Sequence, residues 1–154
     1  ALLLLLVANG APVVASKLFG RRFAWPVDAG VILSDGRSLF GRSKTWRGIL
    51  SSIGLASVAS LLMGYGLTIG ALFGALAMTG DTLASFVKRR KGLTESSRAR
   101  GLDTIPESLL PVVVLKSQLA LNGLDIAAVV LLFFMLEEFV SPILYRLHIR
   151  KRPY

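Results

Sequence analysis

From Ile49 to Gly80 the chain carries no charged residue. As a single helix that stretch would run roughly 48 Å at about 1.5 Å per residue, longer than the ~30 Å hydrocarbon core of a bilayer, so it has to turn. Met63-Gly64-Tyr65-Gly66 is the natural turn and divides it into two short apolar helices, over about 49–63 and 66–80. Three further apolar stretches lie at about 1–16, 108–121 and 126–144. The pattern therefore predicts an all-α integral membrane protein with five transmembrane helices and two long cytoplasmic loops, about 17–48 and 81–107. No internal repeat or linker divides it, so residues 1–154 are expected to form a single transmembrane domain. The first stretch lacks a basic leader and a clear cleavage motif and reads as a retained span, while its opening on Ala1 inside an apolar run points to a removed Met or a trimmed start.

The second, third and fourth stretches are short, which fits a polar cavity opening to the cytoplasm and to lipid. Gly66, Gly70 and Gly74 recur every four residues and give the third helix a face on which backbones can approach closely. Helical periodicity continues that face through Ala77, Asp81, Ala84 or Ser85, and Lys88. Asp81 is thereby directed into the bundle. A carboxylate at the end of a charge-free span, on its packing face, is costly to keep and is a functional candidate by default.

Composition sharpens this picture. Of 154 residues 53% are hydrophobic, the mean hydropathy is +0.64, and eighteen Lys and Arg against nine Asp and Glu give a formal charge of +9. Disorder is excluded by the hydrophobicity, and a nucleic-acid-binding domain by apolar runs far beyond core length. The absence of cysteine rules out disulfides, thiolate metal sites and cysteine nucleophiles. All but Lys17 and Lys116 of the cations fall in three groups: Arg21 to Arg47, Lys88 to Arg100, and Arg146 to Arg152. The positive-inside rule then puts the N-terminus outside and the C-terminus in the cytoplasm of a multi-pass cell-membrane protein.

The two loops hold nearly all the polar chemistry. Glycines beside Lys and Arg suit a polyphosphate, because amides approach its oxygens unhindered while cations neutralise them. Acids on the same side, Asp28, Asp35, Asp81, Glu95, Asp103 and Glu107, offer the oxygen ligands Mg²⁺ takes. Structural alternatives stand beside these readings. Lys88 to Lys91 also serves as a topology signal and an anionic-lipid contact. Thr104-Ile105-Pro106-Glu107 fits a helix capping box. Trp46 reads as an interfacial anchor, and His148 as a surface residue of the basic tail. Lys116 either lies in the membrane with a partner such as Asp125 or snorkels outward if its helix ends early. Glu137 and Glu138 pair with or orient loop cations. Lys44-Thr45 is not a P-loop, since Ser43 stands where glycine is required and no strand precedes it.

Taken together, the two loops resemble the CDP-archaeol synthase family, distant relatives of CDP-diacylglycerol synthases. The resemblance is carried by Asp28-Ala29-Gly30, Asp35-Gly36-Arg37, Phe40-Gly41, Lys44-Thr45-Trp46-Arg47-Gly48, Gly80-Asp81, Ser85-Phe86, Lys88-Arg89-Arg90, Leu102-Asp103 and Ile105-Pro106-Glu107-Ser108. The longer Gly-His-Gly-Gly segment of bacterial and eukaryotic synthases is missing. The resemblance implies a Mg²⁺-dependent cytidylyltransferase that takes CTP and an isoprenoid ether-lipid phosphate, 2,3-di-O-geranylgeranylglycerol 1-phosphate, to the CDP-activated lipid and pyrophosphate. It also implies an active site on the cytoplasmic side and no nucleic-acid partner. On that reading Asp81, Lys88, Arg89 and Asp103 are catalytic, and Asp81, Asp103 and Glu107 hold the metal. Asp28, Gly30, Asp35, Lys44, Thr45 and Arg47 bind CTP. The isoprenoid chains lie between helices, where Gly70 and Gly74 either make room for them or only pack helices. The alternatives are the same chemistry on phosphatidic acid, or a non-enzymatic transporter or lipid-binding protein.

Overall fold

A computed structural model of the chain describes residues 1–94, 99 and 101–146, with side chains as far as 139. Glu95, Arg98, Arg100, His148 and the tail cations from Arg150 onward lie outside the described residues. Among the described residues five helices follow one another: α1 (Leu2–Phe19), α2 (Trp46–Leu62), α3 (Leu67–Arg90), α4 (Thr104–Val114) and α5 (Gly123–Arg146). Among the described residues no strand forms; the only β pairing consists of isolated bridges, Pro26 with Thr45 and Ile32 with Ser38. By length and composition α1 and α3 can each cross a bilayer, while α2 and α4 are shorter apolar helices.

The helix α3 is central and packs against α1, α2 and α4, and α5 closes the bundle against α4 and α1. One apolar cluster joins Leu4 and Leu5 to Phe73, Val112, Leu115, Leu119 and Phe133. A second is built of small residues, Ala8, Ala56 and Ala77 with Met78, where helices come closest. The glycine face is the reason they can. A Cβ on Gly70 would strike the Ala56 carbonyl, and one on Gly74 would sit 2.9 Å from both Ile53 Cα and the Ser52 carbonyl. These glycines therefore pack α2 on α3 and leave no room there for a lipid chain.

The α2–α3 turn falls where the sequence predicts it. Gly64, with φ 84°, follows the helix, and the amides of Gly64 and Tyr65 donate back to the carbonyls of Leu61 and Ser60. Two other boundaries differ. α3 runs ten residues beyond 80, so the stretch 81–90 expected as loop is helix. Charge marks where hydropathy ends, not where backbone hydrogen bonding ends. The real stop is Gly92, with φ 74°, where the Gly92 and Leu93 amides donate to the Arg89 and Lys88 carbonyls at 3.0 Å each. α4 begins at Thr104 and stops at Val114, short of the expected 108–121, and Lys116, Ser117 and Gln118 are exposed beyond it. Asp125 does not pair with Lys116. It accepts from the Asn122 amide at 2.9 Å while Asn122 Oδ1 accepts from the Asp125 amide at 3.0 Å, a reciprocal cap on α5.

Candidate functional site

The long segment between α1 and α2 is folded on itself. Asp28, 5% exposed, accepts hydrogen bonds from the amides of Gly30, Phe40 and Gly41 at 3.0, 2.9 and 2.9 Å. Burial raises its carboxyl, but those amides outweigh burial and hold the group below its ordinary value. The fold of the segment is completed by the Val27 amide donating to Lys44 O (2.9 Å) and the Trp46 amide donating to Trp25 O (3.0 Å). The segment is then fastened to the end of α3. Arg90 donates to Asp35 (2.6 Å) and to Ser38 O (2.7 Å), Arg37 donates to Arg90 O (2.6 Å), and Phe40 meets the Phe86 ring edge-on.

This docking brings Arg42, Ser43, Lys44 and Thr45 to the wall of a cavity of about 700 Å³. Every helix contributes to it: Asn9, Pro12, Val13 and Ser16 from α1, Arg47 to Ile49 from α2, Met78, Asp81 and Thr82 from α3, Glu107 from α4 and Glu137 from α5. The amino end of α2 opens here, capped by Thr45 Oγ1 accepting from the Gly48 amide at 3.2 Å. Such an end favours anions, and Arg42 and Lys44 line the wall beside it. Across the space Lys44 Nζ lies 2.5 Å from Asp81 Oδ2, with side-chain exposures of 21% and 24%.

Five of the residues singled out from the sequence share this cavity: Lys44, Thr45, Arg47, Asp81 and Glu107. Of these Arg47 is engaged with the end of α1, donating to Gly20 O at 3.0 Å and Arg22 O at 2.7 Å. Glu107 is buried, and the capping box expected of it does not form. The helix starts one residue too early, with Asp103 and not Thr104 as its cap, so the Glu107 carboxylate is turned to the cavity instead. Its approach is set by Gly80, where a Cβ would meet the Pro106 carbonyl and come within 2.7 Å of Glu107 Cα.

The other six are not part of that lining. Asp28 and Gly30 build the turn just described, and Asp35 ties it to Arg90. Lys88 is buried and lies 2.5 Å from Asp103 Oδ1, whose other oxygen accepts from the Ala99 amide at 3.2 Å. Arg89, also buried, donates to Thr94 O at 2.9 Å. Asp81 and Asp103 are each paired with a lysine of their own, and of the two Asp81 is on the lining of this cavity. Sequence reasoning gave no site role to Asn9, Arg21, Arg42 or Thr82, and left Glu137 as a partner of loop cations. Asn9, an amide inside an apolar helix, carried the clearest missed signal.

An oxygen-rich donor set for a hard cation is present in Asp81 and Glu107. Among the described residues no three His, Cys, Asp or Glu converge to hold an ion. Two carboxylates with the remaining positions left to phosphate oxygens and water is the ordinary arrangement for Mg²⁺ beside a nucleotide, and the residues fit it.

A helical bundle with a cluster of charged groups lining a cavity at the end of apolar helices is the build of an enzyme working at the membrane. The fold matches a solved structure described as an intramembrane enzyme for archaeal membrane lipids biosynthesis, with a TM-score of 0.70 and 25% identity, covering 90% of this chain and 91% of that one. The family model for CarS-like CDP-archaeol synthase matches residues 54–154. The CDP-archaeol synthase of Sulfurisphaera tokodaii is 31% identical, over 97% of this chain and 90% of that protein. That of Sulfolobus acidocaldarius is 35% identical, over 97% and 91%. The chain belongs to the CDP-archaeol synthase family.

Proposed function

We propose that the protein is a CTP-dependent cytidylyltransferase that activates an isoprenoid ether-lipid phosphate at the cytoplasmic face of the cell membrane, with all five helices spanning the bilayer and the N-terminus outside. The observation that carries this reading is the convergence of Lys44, the amino end of α2, Asp81 and Glu107 on one cavity. Its volume of about 700 Å³ falls within the ~300–1,000 Å³ range of small-molecule sites.

In the reaction a non-bridging oxygen of the lipid phosphate attacks the α-phosphorus of CTP. A new P–O–P bridge forms, the bond from the α-phosphorus to the α–β bridging oxygen breaks, and pyrophosphate departs with that oxygen. The nucleophile is already anionic, so no strong general base is needed. What the protein must supply is charge compensation and in-line placement of two polyanions. Lys44 and Arg42 face the triphosphate together with the first amides of α2, which bind phosphate oxygens without needing to reorganise. Asp81 and Glu107 would hold Mg²⁺, which when bound supplies positive charge to the phosphates and orients them. Arg47 acts from behind by locking the end of α1 to the start of α2, which keeps the phosphate-facing amides in place. Lys88, Arg89 and Asp103 stabilise the turn after α3 and are assigned no contact with the reacting atoms.

Radiolabelled CTP incorporated into a lipid-soluble product, with and without Mg²⁺, tests class and cofactor together. Incorporation only with Mg²⁺ and with the ether-lipid phosphate is the expected result. Equal use of phosphatidic acid would point to a synthase without chain specificity, and no incorporation under any condition would refute the enzyme reading.

A further inference from the structure

The Lys44–Asp81 ion pair has both partners on the cavity wall. We propose that it is a placeholder: Lys44 occupies Asp81 until a phosphate takes the ammonium and a divalent cation takes the carboxylate. The site then accepts its nucleotide as the cation complex, in preference to free nucleotide or free cation. The inference rests on the reading of Asp81 as a cation ligand and adds what Lys44 does to that ligand.

Three features support the exchange. First, both side chains are about a fifth to a quarter exposed and face the cavity, so neither is sealed into the bundle. Second, the backbones are fixed while the side chains are not. The Lys44 amide donates to Gly41 O and its carbonyl accepts from Val27, while Asp81 follows Gly80, which is pressed against Pro106 of α4. The pair can therefore open by rotation of a four-carbon stem with no change in the main chain. Third, the surrounding charges oppose either ligand alone. A cation arriving by itself would have to displace an ammonium and leave it beside a doubly positive ion. A triphosphate arriving by itself would draw Lys44 away and leave the Asp81 carboxylate without its cation, facing a polyanion. When both arrive, one ammonium–carboxylate contact is replaced by an ammonium–phosphate and a carboxylate–cation contact. That is positive coupling, and linkage requires each ligand to tighten the other by the same factor.

The contrast with Asp28 is instructive. Its carboxylate is buried and held by the amides of Gly30, Phe40 and Gly41, none of which can leave without dismantling the segment. Lys88 and Asp103 form an equally short pair but away from the cavity lining. The Lys44–Asp81 contact combines ligand-bearing chemistry with a lysine stem that can swing away.

The test uses the full chain in detergent without lipid substrate, with Mn²⁺ followed by the electron paramagnetic resonance of the free ion and α,β-methylene-CTP as the nucleotide. Lys44→Met should bind Mn²⁺ alone roughly tenfold more tightly than the unmodified protein, a change of about 1.4 kcal/mol. The mutual tightening of Mn²⁺ and nucleotide should shrink in the same variant, whereas Lys44→Arg should keep the original pattern. Lys44→Gln, of polar head and similar length, supplies the same reading if the methionine variant does not fold. Unchanged or weaker Mn²⁺ binding in the neutral variants would overturn the placeholder. Asp81→Asn separates the two ideas: Mn²⁺ binding that ignores this change, with or without nucleotide, would sink the ligand reading itself.

Discussion

Asp28 and Gly41, thirteen residues apart, are joined by a 2.9 Å hydrogen bond from the Gly41 amide to the Asp28 carboxylate. With the bonds from Phe40 and Gly30, it turns the first loop back so that Lys44 meets α3. Asp28 thus serves the site from a distance.

Its acid behaviour can be checked. The folded-state carboxyl lies below its unfolded value, so its contribution to stability is fully present above the unfolded value of about 3.9 and is lost as pH falls through the folded one. Asp28→Asn should therefore cost roughly 2 kcal/mol near neutral pH. The difference from the unmodified protein should close as the solution is acidified below pH ~4. Thermal melts in detergent across pH measure this, and a gap that stays constant down to the acid limit would contradict the assigned charge.

Asp81→Asn should leave the melting behaviour nearly intact and lower CDP-lipid formation by roughly 100-fold or more. Lys44→Ala should raise the KM for CTP about tenfold with a smaller effect on the KM for lipid, as expected when a charge-assisted contact to phosphate is lost. Steady-state kinetics with each substrate varied in turn decide both; an equal effect on both substrates would argue against a triphosphate contact for Lys44.

Gly80 and Gly54 make a matched pair. A methyl group at Gly80 meets α4 backbone, whereas at Gly54, exposed on α2, it meets nothing within 4 Å. Gly80→Ala should destabilise by about 1–3 kcal/mol and disturb Glu107, while Gly54→Ala should be neutral or stabilise by up to ~1 kcal/mol. Comparing the two melting temperatures separates close packing from helix propensity.

Arg90→Ala removes the tie to Asp35 and Ser38 and the cation over the Phe86 ring. The first loop should then open more often, and trypsin should cut after Arg37 or Arg42 several-fold faster in the native protein. An unchanged cleavage rate would mean that the loop is held by its internal hydrogen bonds alone.

Several features were legible in the residues themselves. The charge-free run with Gly64 and Gly66 at its centre could only be a helical hairpin, and the face from Gly70 through Ala77 and Ser85 to Lys88 is buried as its periodicity requires. Asp81 was legible for the same reason, as the one charged position on that face before the helix leaves the apolar region. Less legible were the positions where a polar residue serves the backbone. Asp28, Gly30 and Asp35 read as nucleotide contacts because glycines and acids near cations suit both a turn and a phosphate site, and only their hydrogen bonds reveal that they build the loop.

The sequence by itself determined an all-helical chain, its hairpin and the register of α3, because hydrophobic periodicity and glycine placement act over a few residues and tolerate few alternatives. Tertiary structure decided which charges meet. Lys44 with Asp81 and Lys88 with Asp103 are pairings among many cations and acids that composition could not distinguish, and Glu107 and Glu137 reach the same cavity from separate helices. Such contacts depend on how α4 and α5 close against α3 and α1, and no local pattern along the chain encodes that.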